Sequence, residues 1–272
     1  MNGPVRILSD LHLGHKVSRV RRVADLRPLV AGAATVIFNG DTWEELAGPL
    51  RARSADMLDE LRSICAEEGA EPVFLPGNHD PGWPGRGWVE LAGGRIVVTH
   101  GDAMLYASSP WKREILTNME KVAEIWRAHP AAAGDAAQRL EVAREIAFAL
   151  PSRTHSSGRR FLQRAWDAVT PPARALRIID AWLNQASAAE AFRARYFPAA
   201  GFLVSGHFHR HGCWEKNGRV ILNTGSFVSP GKAHWVEWNK GCLTRGPVDE
   251  SRPPFRIGGT IYTWRVERHS NE

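Results

Sequence analysis

Long apolar runs are missing from this 272-residue chain. No stretch approaches the ~20 consecutive apolar residues that span a bilayer, so no membrane-spanning helix is expected. The opening, MNGPVRILSDLHLGH, reaches Asp10 without a basic segment leading into an apolar one, so no signal peptide is expected either. Cysteine is scarce. Cys65, Cys213 and Cys242 are odd in number and scattered, which excludes a disulfide framework and a thiolate zinc knuckle. A reducing cytoplasm is the compartment this composition suits, with peripheral contact at the inner face of a membrane compatible with it. Internal repeats and low-complexity tracts are also lacking. What remains is the composition of a soluble globular protein, 43% hydrophobic and 24% charged. Its length allows one large domain, or one domain with a substantial insertion. The net charge of +6 favours anionic partners without choosing among nucleic acid, phospholipid and nucleotide.

Several short apolar runs rich in β-branched residues each end in a polar cluster. They are PVRILSDLH at the start, ATVIFNGD at 34–41, EPVFLPGNHD at 71–80, GRIVVTHGD at 94–102 and GFLVSGHFH at 201–209. Such runs read as strands buried on both faces, with polar residues at their carboxyl ends. Between the second and third, SADMLDELRSICAEEG reads as a helix capped by Ser54 and closed by Gly69. Strand, helix, strand is the α/β alternation, in which ligands gather at the carboxyl ends of strands. After residue 210, Asn217-Gly218 predicts a hairpin, HWVEWNKGCLTRGPV a second, and GGTIYTWRVER a last strand. This part is expected to be antiparallel and to pack beside or onto the first sheet. The segment 103–200 is instead helical by period and composition, punctuated by Pro130, Pro151, Pro171, Pro172 and Pro198. It reads as a helical cap inserted into a core formed by 1–102 and 201–272. The blander alternative is a set of helices that flank the sheet.

The strand ends carry the chemistry. They present Asp10 and His12, then Asp41, then Asn78 and His79, then His100, then His207 and His209. Asp10 alone could be a turn residue and Asn78 alone a helix cap. Five segments that each deliver ligands to one rim are far more specific. Mixed Asp, His and Asn donors suit borderline divalent metals such as Mn, Fe, Zn or Co.

The order D-x-H, G-D, G-N-H-D, H-G-D, G-H-x-H resembles the calcineurin-like metallophosphoesterase superfamily over residues 5–102 and 201–239. The resemblance implies an α/β fold, a four-layer α/β/β/α sandwich of two mixed sheets. It also implies a two-metal site bridged by a carboxylate and a hydroxide, most readily loaded with manganese in vitro. One metal would take Asp10, His12, Asp41 and His209; the other Asp41, Asn78, His100 and His207. Asp41 would be the bridge, since a carboxylate offers two anionic oxygens to two cations ~3.5–4 Å apart. His79 would contact the reacting phosphate and protonate the leaving oxygen, a role that contributes ~10²–10⁴-fold. Related phosphatases often pair this histidine with an acid three residues after the bridging aspartate, which here is Glu44. His211, His15 and His234 match no motif. His129, His155 and His269 are expected to face solvent.

The insertion holds +5 of the chain's net charge and ten of its Trp, Phe and Tyr residues. Most of these would form its core and its solvated face. Arg153, Arg159 and Arg160, in PSRTHSSGRRF, are the better candidates for binding substrate phosphate, because the guanidinium fork matches phosphate oxygens. A helical insertion after H-G-D also loosely resembles bacterial UDP-2,3-diacylglucosamine pyrophosphatases, which would make the substrate a nucleotide-sugar lipid precursor. Those enzymes usually carry Arg where this chain has His79. The expected partner is therefore a phosphorylated small molecule or lipid-linked substrate. A general phosphodiesterase or nuclease is the competing enzyme, and a phosphoesterase-like protein-binding scaffold the non-enzymatic alternative. None of the motif residues is lost, as such a scaffold would usually show.

Overall fold

The computed structural model describes residues 3–151 and 172–266. Two mixed sheets stack face to face. In the first, the order is β11 (Arg256–Ile257), β10 (Cys242–Asp249), β9 (His234–Asn239), β1 (Val5–Leu8), β2 (Thr35–Asn39) and β3 (Glu71–Leu75), with β12 (Tyr262–Arg265) also on β10. In the second it is β4 (Trp88–Leu91), β5 (Ile96–Thr99), β6 (Phe202–Ser205), β8 (Arg219–Asn223) and β7 (Gly212–Lys216). The runs β1-β2-β3 and β5-β6-β8 are parallel.

The alternation of side chains explains why these strands are apolar throughout. Ile7, Ile37, Val98 and Val204 point between the sheets and share one core with Leu222, Val236 and Leu243. Their neighbours Leu8, Val36 and Phe38 point outward, against Leu58, Leu61 and Ile64 of helix α1 (Gly48–Glu67). Val97, Leu203 and Ile221 point out of the other sheet, against Leu140 and Ala143 of α3 (Ala136–Ala149) and Ala189 and Phe192 of α4 (Pro172–Tyr196). The result is four layers, α/β/β/α.

The helical segment between β5 and β6 does two things. Through α3 and α4 it forms the outer layer of the second sheet. It also builds a core of its own, in which Val122 and Ile125 of α2 (Met119–Ala128) meet Val142 and Ile146 of α3. No helix among the described residues is long and apolar enough to cross a membrane.

Three expectations need correction. Helix α1 begins at Gly48, six residues before Ser54, which lies inside the helix. Ser54 is a clamp: its hydroxyl accepts the Glu44 N–H at 2.8 Å and donates to the Leu13 carbonyl at 2.6 Å. The C-terminal strands do not form one antiparallel unit. The β7–β8 hairpin turns at Asn217-Gly218, both at positive φ, yet β8 joins β6 in parallel and extends the second sheet. Strands β9, β10 and β12 extend the first. Finally, His129 does not face solvent freely: its ring nitrogens bond Gln138 and Glu145, both at 2.8 Å.

Candidate metal centre and cleft

The five motif segments converge where the two sheets end. Of the seven proposed ligands, Asp10, His12, Asp41, His207 and His209 all have φ between 47° and 69°. The left-handed region is sparsely populated by residues with a β-carbon, and such strain concentrates at functional sites. It bends each strand end sharply enough to turn its side chain back toward the rim. Two glycines permit the close packing. A β-carbon on Gly77 would lie 2.4 Å from Asp41 Oδ1, and one on Gly206 would lie 2.2 Å from Asp10 Oδ2.

Three groups of candidate ligating atoms result: one joins His12, Glu44 and His79, and the proposed ligands make the other two. Asp10, His12, Asp41 and His209 form one; Asp41, His100 and His207 form the other, and within each the atoms lie within 4.8 Å of one another. Asp41 is common to both. His12 Nε2 and His100 Nε2 each stand 3.5 Å from Asp41 Oδ2, and His209 Nε2 stands 3.2 Å from Asp10 Oδ1. His12 Nε2 and His209 Nε2 face each other at 3.3 Å.

The outer nitrogens are occupied in a way that leaves the inner ones free to ligate. His100 Nδ1 donates to the Asn39 carbonyl at 2.9 Å, His207 Nε2 to the Ser108 carbonyl at 3.0 Å, and His12 Nδ1 to Glu44 Oε1 at 2.8 Å. Each partner fixes a tautomer whose remaining lone pair points inward, as metal-binding histidines require. Asn78 Oδ1 is buried with no hydrogen-bond partner. An orphaned amide oxygen is costly unless something absent from the chain completes it. Lone pairs facing carboxylates, together with this oxygen, fit two divalent cations.

The electrostatics agree. Burial raises the Asp41 carboxyl, but His100, His79 and His12 outweigh it and hold it well below the usual carboxylate range. Asp10 is lowered likewise, against its burial, by His209 and His100. Burial drives His207 down to about 3, so its ring is neutral at any working pH. Both aspartates are thus anionic acceptors.

Glu44 does more than its position in the motif suggested. While Oε1 takes His12, Oε2 takes His79 Nδ1 at 2.9 Å. The longer side chain spans two histidines whose rings lie 4.7 Å apart. Burial opposes ionisation of Glu44, yet His79 and His12 keep its carboxyl well below the ordinary value. His79 is partly exposed, and its backbone N–H donates to Asp41 Oδ1 at 2.8 Å.

Some functional residues carried no recognisable motif role. Asp80 accepts the backbone N–H groups of Asp41, Thr42 and Gly77 at 2.8–3.0 Å and the Trp83 indole at 3.1 Å, which pins the Asp41 loop to the Asn78 loop. Its place after Asn78-His79 was the signal available. Over the rim lies a cleft of about 180 Å³. It is lined by Asp41, Asn78, His79, His207 and His209 together with Ser109, Trp111, Lys112 and Trp182. His211 stacks on the buried His234 at 4.2 Å, and His15 packs edge-on to His12 at 6.2 Å. Arg153, Arg159 and Arg160, with His155 and His269, lie outside the described residues.

No family profile and no curated protein sequence matches the chain. Solved structures do. A dimetal phosphatase from Danio rerio is 11% identical, covering 98% of this chain and 99% of that one, with a TM-score of 0.45. A phosphoesterase from E. coli is 14% identical over 97% and 100%, at 0.44. Vps29 of Chaetomium thermophilum is 12% identical over 97% and 100%, at 0.47. Likenesses this weak carry no argument about activity, and the weight rests on the chain's own residues. The chain's own two-sheet sandwich brings the ordered ligand motifs to one rim, as their order along the strands leads one to expect.

Proposed function

We propose that the chain is a dinuclear-metal-dependent hydrolase of phosphate ester or pyrophosphate bonds. The observation that carries this reading is the pair of ligand groups sharing Asp41. One metal would be held by Asp10, His12, Asp41 and His209, the other by Asp41, Asn78, His100 and His207. When bound, the ions would lower the pKa of water toward neutrality and draw charge from the phosphoryl oxygens.

The remaining work falls to this chain's own side chains. Asp41 is fixed between the two groups by the His79 N–H and through its backbone by Asp80. With Nδ1 of His79 held by Glu44, its Nε2 is left to face the cleft that His79 lines. Burial lowers the His79 pKa, but Glu44 and Asp41 outweigh it and raise it, so the ring holds its proton more firmly than a free imidazole does. Water attacks phosphorus, the bond from phosphorus to the leaving oxygen breaks, and His79 gives that oxygen its proton. The attacking water's proton is lost to solvent, and a solvent proton restores His79. Glu44 keeps the ring oriented and charged between turnovers.

The test is parallel assay of manganese-loaded protein on a phosphomonoester, a phosphodiester, a nucleoside-diphosphate sugar and DNA, with elemental analysis of the same sample. Metal near two equivalents with hydrolysis of one class supports the reading. Two equivalents with no hydrolysis of any class would favour the binding scaffold.

A further inference from the structure

Lys112 is a buried cation that no carboxylate touches among the described residues, although Asp41, Asp102, Glu114 and Glu44 act on it from a distance. It is only 7% exposed. Among the described residues its ammonium has neither an ion-pair nor a hydrogen-bond partner. Burying an ammonium is expensive unless an anion meets it. Beside it, Ser109 is 1% exposed, and its hydroxyl also lacks a partner. Both residues line the same cleft as Asn78 and His79. Two unpaired donors, one charged, thus stand in the lining of the proposed reacting centre.

Their placement is tied to that centre. Ser108, at φ 56°, offers its carbonyl to His207 Nε2, and the Trp111 ring lies 5.0 Å from the His207 ring. The Lys112 N–H donates to the Ser109 carbonyl at 2.9 Å, which closes the turn that carries both cleft-lining residues. The Lys112 charge is felt by His79, Glu44 and Asp41. A solvated surface lysine would have none of these constraints.

We propose that Lys112 and Ser109 form an oxyanion subsite that selects phosphate monoesters over diesters; this rests on the hydrolase reading above. A monoester phosphate carries three acceptor oxygens and close to two negative charges at neutral pH. A diester carries two such oxygens and one charge. With two phosphoryl oxygens taken up at the Asp41 and Asn78 ligand groups, the third oxygen besides the leaving one is anionic in a monoester and an ester oxygen in a diester. An ammonium and a hydroxyl in the same cleft satisfy the first and not the second. Lysine suits this task as a compact point charge. Trp111 and Trp182, which line the same cleft, are left for the organic part of the substrate.

The experiment uses the full manganese-loaded chain as wild type, Lys112→Met, Lys112→Arg and Ser109→Ala. Each is assayed on p-nitrophenyl phosphate and bis(p-nitrophenyl) phosphate, titrated calorimetrically with orthophosphate, and checked for metal content. Losing one partner of a buried charge pair should lower kcat/KM on the monoester about 30- to 100-fold in Lys112→Met. The diester should lose less than about 5-fold, with Lys112→Arg recovering much of the loss, since the charge is kept. Orthophosphate should bind at least about 10-fold more weakly to Lys112→Met at unchanged metal content. Equal losses on both esters, or unchanged orthophosphate binding, would overturn the subsite. If the wild type hydrolyses none of the four substrate classes named above while Lys112→Met still weakens orthophosphate binding, the phosphate subsite stands without its ester selectivity and the hydrolase reading fails.

Discussion

Glu44 holds two histidines at once, and Glu44→Gln separates what that does. The carboxylate is 1% exposed and accepts from His12 Nδ1 at 2.8 Å and His79 Nδ1 at 2.9 Å. Glutamine keeps the shape and the backbone bond to Ser54, but it turns one acceptor into an N–H donor. That donor must face an imidazole N–H. A hydrogen bond to a charged group is worth about 1.5–3 kcal/mol. At about 1.36 kcal/mol per tenfold, kcat/KM on a poor leaving group such as phenyl phosphate should fall ~10- to 150-fold. The pH profile gives the sign. Burial lowers the His79 pKa, and Glu44 and Asp41 together more than reverse this, so the net shift is upward. A general acid acts while protonated, below its pKa, so the alkaline limb of kcat follows that value. Removing the Glu44 charge lowers it, and the limb should move to lower pH. Activated p-nitrophenyl phosphate, which needs little protonation, should be less affected. An unmoved limb with kcat/KM within about 2-fold of wild type on phenyl phosphate would refute the argument.

Asp41→Asn removes the charge common to both ligand groups, so elemental analysis should show well under two equivalents of metal; retention of two would remove the shared-ligand assignment. His79→Ala should keep its metals, because its backbone N–H still reaches Asp41, and should lose ~10²–10⁴-fold in kcat on poor leaving groups. Gly206→Ala places a β-carbon 2.2 Å from Asp10 Oδ2 and 2.4 Å from Ser9 Oγ. Overpacking of that kind costs about 1–3 kcal/mol, so Tm should drop by several degrees. Metal content should fall with it, and a thermally and metallically normal variant would show that the loop has room to yield. Saturating manganese at about 100 times Kd should stabilise the wild type by about 2.7 kcal/mol, seen as a concentration-dependent rise in Tm that Asp41→Asn lacks.

The features legible in the sequence are those set by local pattern, and the features missed are those made by the fold. Strands such as β1 and β5 are apolar on both faces, so Val5–Leu8 and Ile96–Thr99 stand out from any surface segment, and the polar residues after them fall at the rim by necessity. Asn217-Gly218 fixes its own turn. Ser54 misled because a serine before an apolar stripe has the pattern of a cap, whereas its hydroxyl is claimed by Glu44 and Leu13, which lie ten and 41 residues away in sequence. That claim is tertiary, and no window along the chain contains it. Glu44 could be placed by its spacing from Asp41, but its grip on His12 depends on side-chain length measured across two loops. Lys112 was the hardest to see. It is one of fourteen Lys and Arg residues in the insertion, most of them indistinguishable by composition from a solvated helix face. What sets it apart is the combination of burial, the absence of a carboxylate in contact with it among the described residues and a carbonyl at Ser108 that ties its loop to His207. Each of these exists only once two segments about a hundred residues apart are side by side. A motif can announce where metals would sit, because ligands must recur in a fixed order along the strands. A residue that chooses the substrate has only to arrive at the right place from any element that overhangs the cleft, so its identity is settled by packing and is read from the structure.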